Sequence, residues 1–187
     1  PIVNELTGEV TKGYLFVATL PYSQYTYVEL TSDMKEENWI NAHVHMFEYF
    51  GGTTPLLIPD NLKTGVIKHP KNGEVILNKA YQEMGDYYDV AIVPTLVRSP
   101  KGKPSVEGTV GKVTSSIIAR LRKEKFNSVI EANVKIKKCL EESNAKPFQK
   151  RNGSRKEIFE NEEKMFLRPL PKEPYEFAVW KQATVQY

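Results

Sequence analysis

Two carboxylates stand out by where they fall. The stretch TTPLLIPDNLKTG, residues 53–65, holds an apolar run that stops on Pro59, Asp60 and Asn61. A short apolar run bounded by turn residues reads as a buried strand, and aspartate is a poor strand residue that is seldom buried without a partner. The second acid, Glu107, lies in SPKGKPSVEGTVGKV with 46 residues between it and Asp60. It falls in the first turn of a helix whose apolar stripe starts at Val106. Each has a plain alternative: Asp60 can open an Asx turn, and Glu107 can complement the helix dipole. Brought together, two carboxylates repel unless a cation lies between them. Hard divalent ions such as Mg²⁺ take carboxylate and water oxygens. Two such ions about 3.5–4 Å apart activate water or a hydroxyl for phosphoryl transfer.

The charge around Glu107 suits a phosphate substrate. Residues 98–126 carry Arg98, Lys101, Lys103, Lys112, Arg120, Arg122, Lys123 and Lys125 against Glu107 and Glu124, a net charge of +6 where the whole 187-residue chain has +3. A solvated helix face gives a similar pattern, but a cation-rich loop and helix flanking two carboxylates fits a polyphosphate backbone. A second cluster, Lys146, Lys150, Arg151, Arg155 and Lys156, contains no acid.

Composition narrows the class. Hydrophobic residues at 40% and charged residues at 26% describe a globular chain, not a disordered one, and the length suffices for one well-buried core. Cys139 is the only cysteine, so no internal disulfide can form and a reducing compartment is expected. No apolar run approaches the roughly 20 residues that a membrane helix needs. The first residues, PIVNELTGEV, lack a basic region, an apolar core and an initiator Met. They read as a cut from something longer and not as a signal peptide.

The elements that must position the acids follow from periodicity. Residues 1–32 hold three strand-like runs, turning near Thr7-Gly8 and at Pro21-Tyr22-Ser23; YLFVATL is apolar nearly throughout and YTYVELT alternates. Asp33 and Glu36 predict a capping box for a helix with Trp39, Ile40, His43, Phe47 and Phe50 on one stripe, ended by Gly51-Gly52. The strand PLLIPD, a hairpin turning at Lys71-Asn72-Gly73, a helix NKAYQEMGDYYD and a strand VAIVPTLV come next. A long helix from Ser105, with Val106, Val110, Val113, Ile117 and Leu121 inward, and another over 128–143 complete the order β-β-β-α-β-α-β-α-α. Ser154 with Glu157 predicts a second capping box. This order predicts a mixed five-stranded sheet flanked by helices, with strand ends and a helix start on the rim that carries Asp60.

These stretches resemble a known family. YLFVATLPYSQYTYVEL, ENWINAHVHMFEYFGG, IPDNLKTGVIKH, LNKAYQEM, VEGTVG, KPFQKRNGSR and VWKQATVQ are similar to the catalytic core of DDE transposases and retroviral integrases, in particular to IstA-type transposases of bacterial insertion sequences. The resemblance implies a ribonuclease-H-like (integrase core) α/β fold and a DNA transposase that cleaves 3′ ends and transfers strands. It identifies Asp60 and Glu107 as the second and third catalytic acids and metal ligands, holding two Mg²⁺ or Mn²⁺ ions. DNA binding falls to Lys101, Lys103, Lys112, Arg120 and Lys123, with Lys103 and Lys112 near the scissile phosphate. The implied partners are double-stranded DNA (transposon ends and target), further copies of the chain on DNA, and an ATPase helper. The implied location is the bacterial cytoplasm, nucleoid-associated in action, with no membrane. The family's first aspartate belongs to a strand just upstream of Pro1. The parent is therefore expected to be an enzyme and this piece, one ligand short, to be inactive. Residues 1–166 are expected to be the core, truncated at its N-terminus, and 167–187 a linker entering a further element.

Two rivals are open at this point: another nuclease of the same fold, and a nucleic-acid-binding module without catalysis. Other candidates read as structure. His43 lies on an apolar stripe as a core histidine, and His45 and His69 have no partner at metal-ligand spacing. Cys139 reads as an inert thiol.

Overall fold

The alternation in YLFVATL and TYVELT builds a hairpin with two different faces. The computed structural model describes residues 2–3, 7–59, 66–68, 76–94 and 104–178, with the backbone alone at 66–68, 76 and 104–107. A short pair, β1 (Ile2–Val3) and β2 (Val10–Thr11), precedes β3 (Tyr14–Thr19) and β4 (Thr26–Thr31). β3 and β4 are antiparallel from Tyr14↔Thr31 to Thr19↔Thr26. Gly8, at φ +69°, stands in the first turn, where the sequence predicts it.

Helix α1 (Glu36–Phe50) returns along this hairpin and ends on Gly51 at φ +71°, whose N–H reaches Phe47 O and Glu48 O. The expected capping box at its start is absent. Lys35 occupies the N-cap without a side-chain bond. Asp33 instead accepts from the Lys35 N–H at 2.9 Å and from Asn38 Nδ2 at 2.7 Å, because its side chain closes a local turn two residues too early to cap.

Beyond α1 come β5 (Leu56–Leu57), β6 (Val66–Lys68), β7 (Ile76–Leu77), α2 (Lys79–Tyr87), β8 (Ala91–Ile92), α3 (Pro104–Leu121), α4 (Val129–Ala145) and α5 (Arg155–Ile158). A π-helical turn, Phe159–Glu163, and a 3₁₀ turn, Lys164–Phe166, follow α5. β5 runs parallel to β8, and β6 pairs antiparallel with β7. The turn expected at Lys71-Asn72-Gly73 lies outside the described residues. Among the described residues the strands pair two by two, so the predicted five-stranded sheet is not one continuous ladder. β3 and β5 both contribute to the core under α1 but do not pair with each other.

The hairpin's α1 face is aromatic. Phe16 meets Tyr27, Trp39 and His43 edge-on, and Tyr25 stacks on Tyr49 and on Phe159 at centroid distances of 5.4 and 4.4 Å. The opposite face is aliphatic: Val28 with Val113, Ile117, Ile136, Cys139 and Leu140 from α3 and α4. Two asparagines of α4 complete the outer edge of β4. Asn144 accepts the Thr26 N–H at 3.2 Å and donates to Thr26 O at 2.8 Å. Asn133 does the same for Leu30, at 2.7 and 2.9 Å. Each amide stands in for one residue of a neighbouring strand, so backbone groups that burial would strand are satisfied.

The segment after Phe166, read from the sequence as a linker, is laid along the core as far as residue 178. Thr53 and Arg168 exchange both backbone hydrogen bonds, at 3.0 and 2.9 Å, and the Arg168 guanidinium meets Asp89. Leu167, Leu170, Tyr175 and Phe177 join the aromatic cluster. A Cβ at Gly52 would come within 2.7 Å of Arg168 O, so this close approach requires glycine.

Candidate functional site

The site residues sit on elements whose course is described even where their side chains are not. β5 carries the chain to the buried Pro59. Asp60, the next residue, lies outside the described residues, as do Lys101 and Lys103. Glu107 is the fourth residue of α3; its backbone is helical and its side chain lies outside the described set. Pro104 opens the helix, where its missing N–H costs nothing, and an acid in the first turn meets the positive end of the dipole.

The first α3 side chain with described surroundings is Thr109. It is buried, and its hydroxyl donates to Gln24 Oε1 at 2.9 Å. Gln24 holds φ +60°, a left-handed conformation that costs a non-glycine residue energy. The Thr26 hydroxyl, donating to Gln24 O at 2.9 Å, fixes it. The start of α3 is thereby tied to the β3–β4 turn.

The basic residues divide. Lys112 is exposed with Gly108, Ser115 and Ala119, and Lys123 is exposed beyond the helix end. Neither has an ion-pair partner among the described residues. Positions 107 and 112 are five residues apart, hence about 140° around the helix axis, so they do not share a face. Arg120 points toward α4, where it pairs with Glu142. Together with Ser116, Ser143, Ala145 and Lys146 they line a groove of about 600 Å³.

The core helix stripe Val106, Val110, Val113, Ile117 and Leu121 is largely as expected. Val113 and Ile117 are buried, Val110 and Leu121 half-buried, and Val106 lies outside the described side chains.

His43 is the core residue its stripe predicts. It is 2% exposed, with Nδ1 at 2.8 Å from Trp39 O and Nε2 at 3.1 Å from the Tyr81 hydroxyl. The carbonyl makes Nδ1 the donor, so Nε2 accepts from Tyr81. Burial pushes its pKa down to about 4. Sequence reasoning missed the partner of His45: Nδ1 lies 3.1 Å from each carboxylate oxygen of Glu29, which holds the His45 pKa above its ordinary value. Tyr27 donates to the same carboxylate at 2.8 Å. Only the pairing of a strand face with α1 reveals this contact. His69 lies outside the described residues, and Cys139 is buried and free. No group of three or more His, Cys, Asp or Glu side chains is gathered as a metal site among the described residues. No helix among them is long and apolar enough to cross a membrane.

No protein-family model matches the chain. A protein of Pseudomonas fluorescens assigned as the transposase of insertion sequence IS1162 is 37% identical over 99% of the chain, and the match covers 33% of that protein. One of Burkholderia multivorans, assigned to insertion sequence IS408, is 34% identical over 99% of the chain and 36% of its own length. The chain thus spans about a third of the curated relatives it matches. Among solved structures, the catalytic core domain of BIV integrase aligns over 82% of this chain and 90% of its own, with TM-score 0.63 and 12% identity. The HTLV-2 integrase catalytic core domain, solved in complex with magnesium, aligns over 80% and 86%, with TM-score 0.58 and 17% identity. Over almost its whole length this chain is similar to a stretch of insertion-sequence transposases, and its backbone has the fold of an integrase catalytic core.

Proposed function

We propose that the chain is the catalytic core of a DNA transposase that cleaves the 3′ ends of its element and joins them to target DNA. One observation carries this reading: 37% identity to an insertion-sequence transposase runs over 99% of the chain, on a backbone that superposes on integrase cores. Asp60 and Glu107 are the proposed acids, and residues 1–166 the proposed core, with 167–187 leading to a further element. The donor set fits a hard cation, since carboxylates at a strand end and a helix start suit Mg²⁺ or Mn²⁺. Two such ions, when bound, would supply the activation of water or of a 3′ hydroxyl.

The chain's own residues bind and orient. Lys101 and Lys103, in the loop entering α3, are the cations nearest Glu107 in sequence and are assigned to the scissile region. Lys112, about 140° around the helix from position 107, is assigned with Lys103 to the neighbourhood of the scissile phosphate, and Lys123 to phosphates further along the duplex. Arg120 reaches DNA only by leaving Glu142. The mixed five-stranded sheet, three antiparallel strands followed by two from α-β units, is proposed as the frame that unites the strand pairs under α1. Double-stranded ends and target, further copies of the protein on DNA, an ATPase helper and a cytoplasmic, nucleoid-associated setting complete the proposal.

The test uses the full-length parent with a labelled duplex end and Mg²⁺ or Mn²⁺. Asp60→Asn and Glu107→Gln should each abolish 3′ nicking and strand transfer while DNA binding persists. Nicking at the parent's rate by either variant refutes the assignment.

A further inference from the structure

After α4 the chain makes a tight reversal. The Phe148 N–H donates to Gly153 O at 2.9 Å, Pro147 and Ser154 form an antiparallel bridge, and Gly153 takes φ +84°, which favours glycine. The reversal is locked by the predicted capping box. Ser154 Oγ accepts the Glu157 N–H at 3.2 Å, and Glu157 accepts the Ser154 N–H at 2.7 Å.

This rigid turn presents Lys146, Lys150 and Arg151 to solvent. Neither they nor Arg155 form an ion pair among the described residues. The acids that follow are engaged elsewhere. Glu157 caps Ser154, Glu160 pairs with Lys156 at 4.0 Å, Glu162 accepts from the Tyr22 hydroxyl, and Glu163 accepts the Ser23 N–H at 3.1 Å. Arg151 is itself oriented, with its guanidinium 4.9 Å over the Tyr22 ring and NH1 donating to Tyr22 O at 3.1 Å.

Arg155 is the member that asks for a ligand. Its guanidinium stacks 4.9 Å from the centre of Phe148 and gives one long hydrogen bond, 3.4 Å, to Ser143 O. Its Nε is buried without a partner. A guanidinium has five donors in a fixed fork, and a desolvated cation short of acceptors is costly until an anion arrives. Ser143 and Lys146 also line the groove between α3 and α4, whose other wall carries Arg120. Lys146, at the start of the turn, therefore borders this groove, which Glu142 also lines in its pair with Arg120.

We propose that Lys146, Lys150, Arg151 and Arg155 form a second docking site for the phosphodiester backbone of duplex DNA, reached from α3 across this groove. The proposal rests on the reading of the chain as a DNA-acting core. Arg155 would take one phosphate through its fork, and the two lysines and Arg151 would follow the strand as outward charges. No base is read, so the site fixes register and not sequence.

The test is fluorescence anisotropy of the 187-residue chain with a labelled duplex between 50 and 200 mM salt. The variant K146Q/K150Q/R151Q should melt as the parent does and flatten the slope of log K against log salt by about three, at roughly 0.9 per phosphate contact. Should Arg151 prove necessary for folding, K146Q/K150Q should flatten it by about two. R155K should keep part of the affinity that R155Q loses, because charge survives without the fork. A parent-like slope in a folded double or triple variant overturns the proposal while leaving the transposase reading intact. Absence of DNA binding by the parent at low salt overturns both. Displacement of the duplex by micromolar inorganic phosphate would reassign the turn to a free phosphate ligand and overturn the DNA assignment.

Discussion

The two faces of the β3–β4 hairpin are built from different chemistry. Under α1 the packing is aromatic and carries polar handles: Tyr81 meets His43, Tyr27 meets Glu29, and the rings of Phe16, Tyr25, Tyr49, Phe50 and Phe159 interlock. Against α3 and α4 it is aliphatic and smaller, with polar contacts along the outer edge of β4, where Asn144 and Thr26 are themselves buried. Large rings with fixed edges specify a single arrangement, whereas short aliphatic chains tolerate exchange when volume is kept. The first face anchors α1, α2 and the C-terminal segment as one body. The second carries the helix that bears Glu107 and the cations.

The comparison is broken most directly by truncating one residue on each side. Phe47→Ala, at 2% exposure, should cost about 3–5 kcal/mol, and Ile117→Ala, equally buried, about 2–5 kcal/mol, with Phe47 the larger, both read by urea denaturation. If Ile117→Ala is the more damaging, the aliphatic face is the true keystone.

Next in size is an acid dependence belonging to the aromatic face alone. His43 is held neutral, with its pKa pushed from 6.5 down to about 4. The unfolded chain therefore takes up this proton first as pH falls. The contribution is whole above about pH 6.5 and disappears progressively toward pH 4, amounting to about 3 kcal/mol. In H43Q that part of the pH dependence should vanish; an unchanged profile would mean that His43 does not govern it.

The rim of the aliphatic face should respond less. Asn144→Ala leaves the Thr26 N–H and C=O without partners in a buried place, for a loss of about 2 kcal/mol, while Asn133→Ala, where water can reach Leu30, should lose about 1 kcal/mol. Equal losses at the two positions would show that water reaches both. The smallest effect belongs to Arg120–Glu142. Each side chain is about half exposed, at 47% and 48%, and Glu142→Gln should change stability by under about 1 kcal/mol. That change should instead free Arg120 and tighten DNA binding.

What the sequence revealed and what it hid follow one physical line. The stripe of α1, the Gly51 stop, the hairpin β3–β4 and the Ser154–Glu157 box are local patterns, and all stand in the structure. Asp33 forms an Asx turn where the sequence predicts a capping box, because the two use the same residue type and differ only by two positions. The Asn133 and Asn144 contacts span 103 and 118 residues, beyond any local pattern. At the candidate site, the start of α3 is legible to within one residue, while of the strand expected over PLLIPD the described part is Leu56–Leu57 and Asp60 lies outside the described residues. Arg120 reads from the sequence as a DNA-binding cation, and its pairing with Glu142 is not legible there because that partner comes from the next helix.

The two α4 asparagines have a consequence for association between chains. An exposed strand edge offers unpaired N–H and C=O groups that another chain can adopt as a template. At Thr26 and at Leu30, near the two ends of β4, both groups are already taken by an amide. A foreign strand would have to displace two fixed side chains before making its first bond. At those two positions the edge is closed to sheet growth, so copies of the chain can come together without their hairpins zipping into fibrils there.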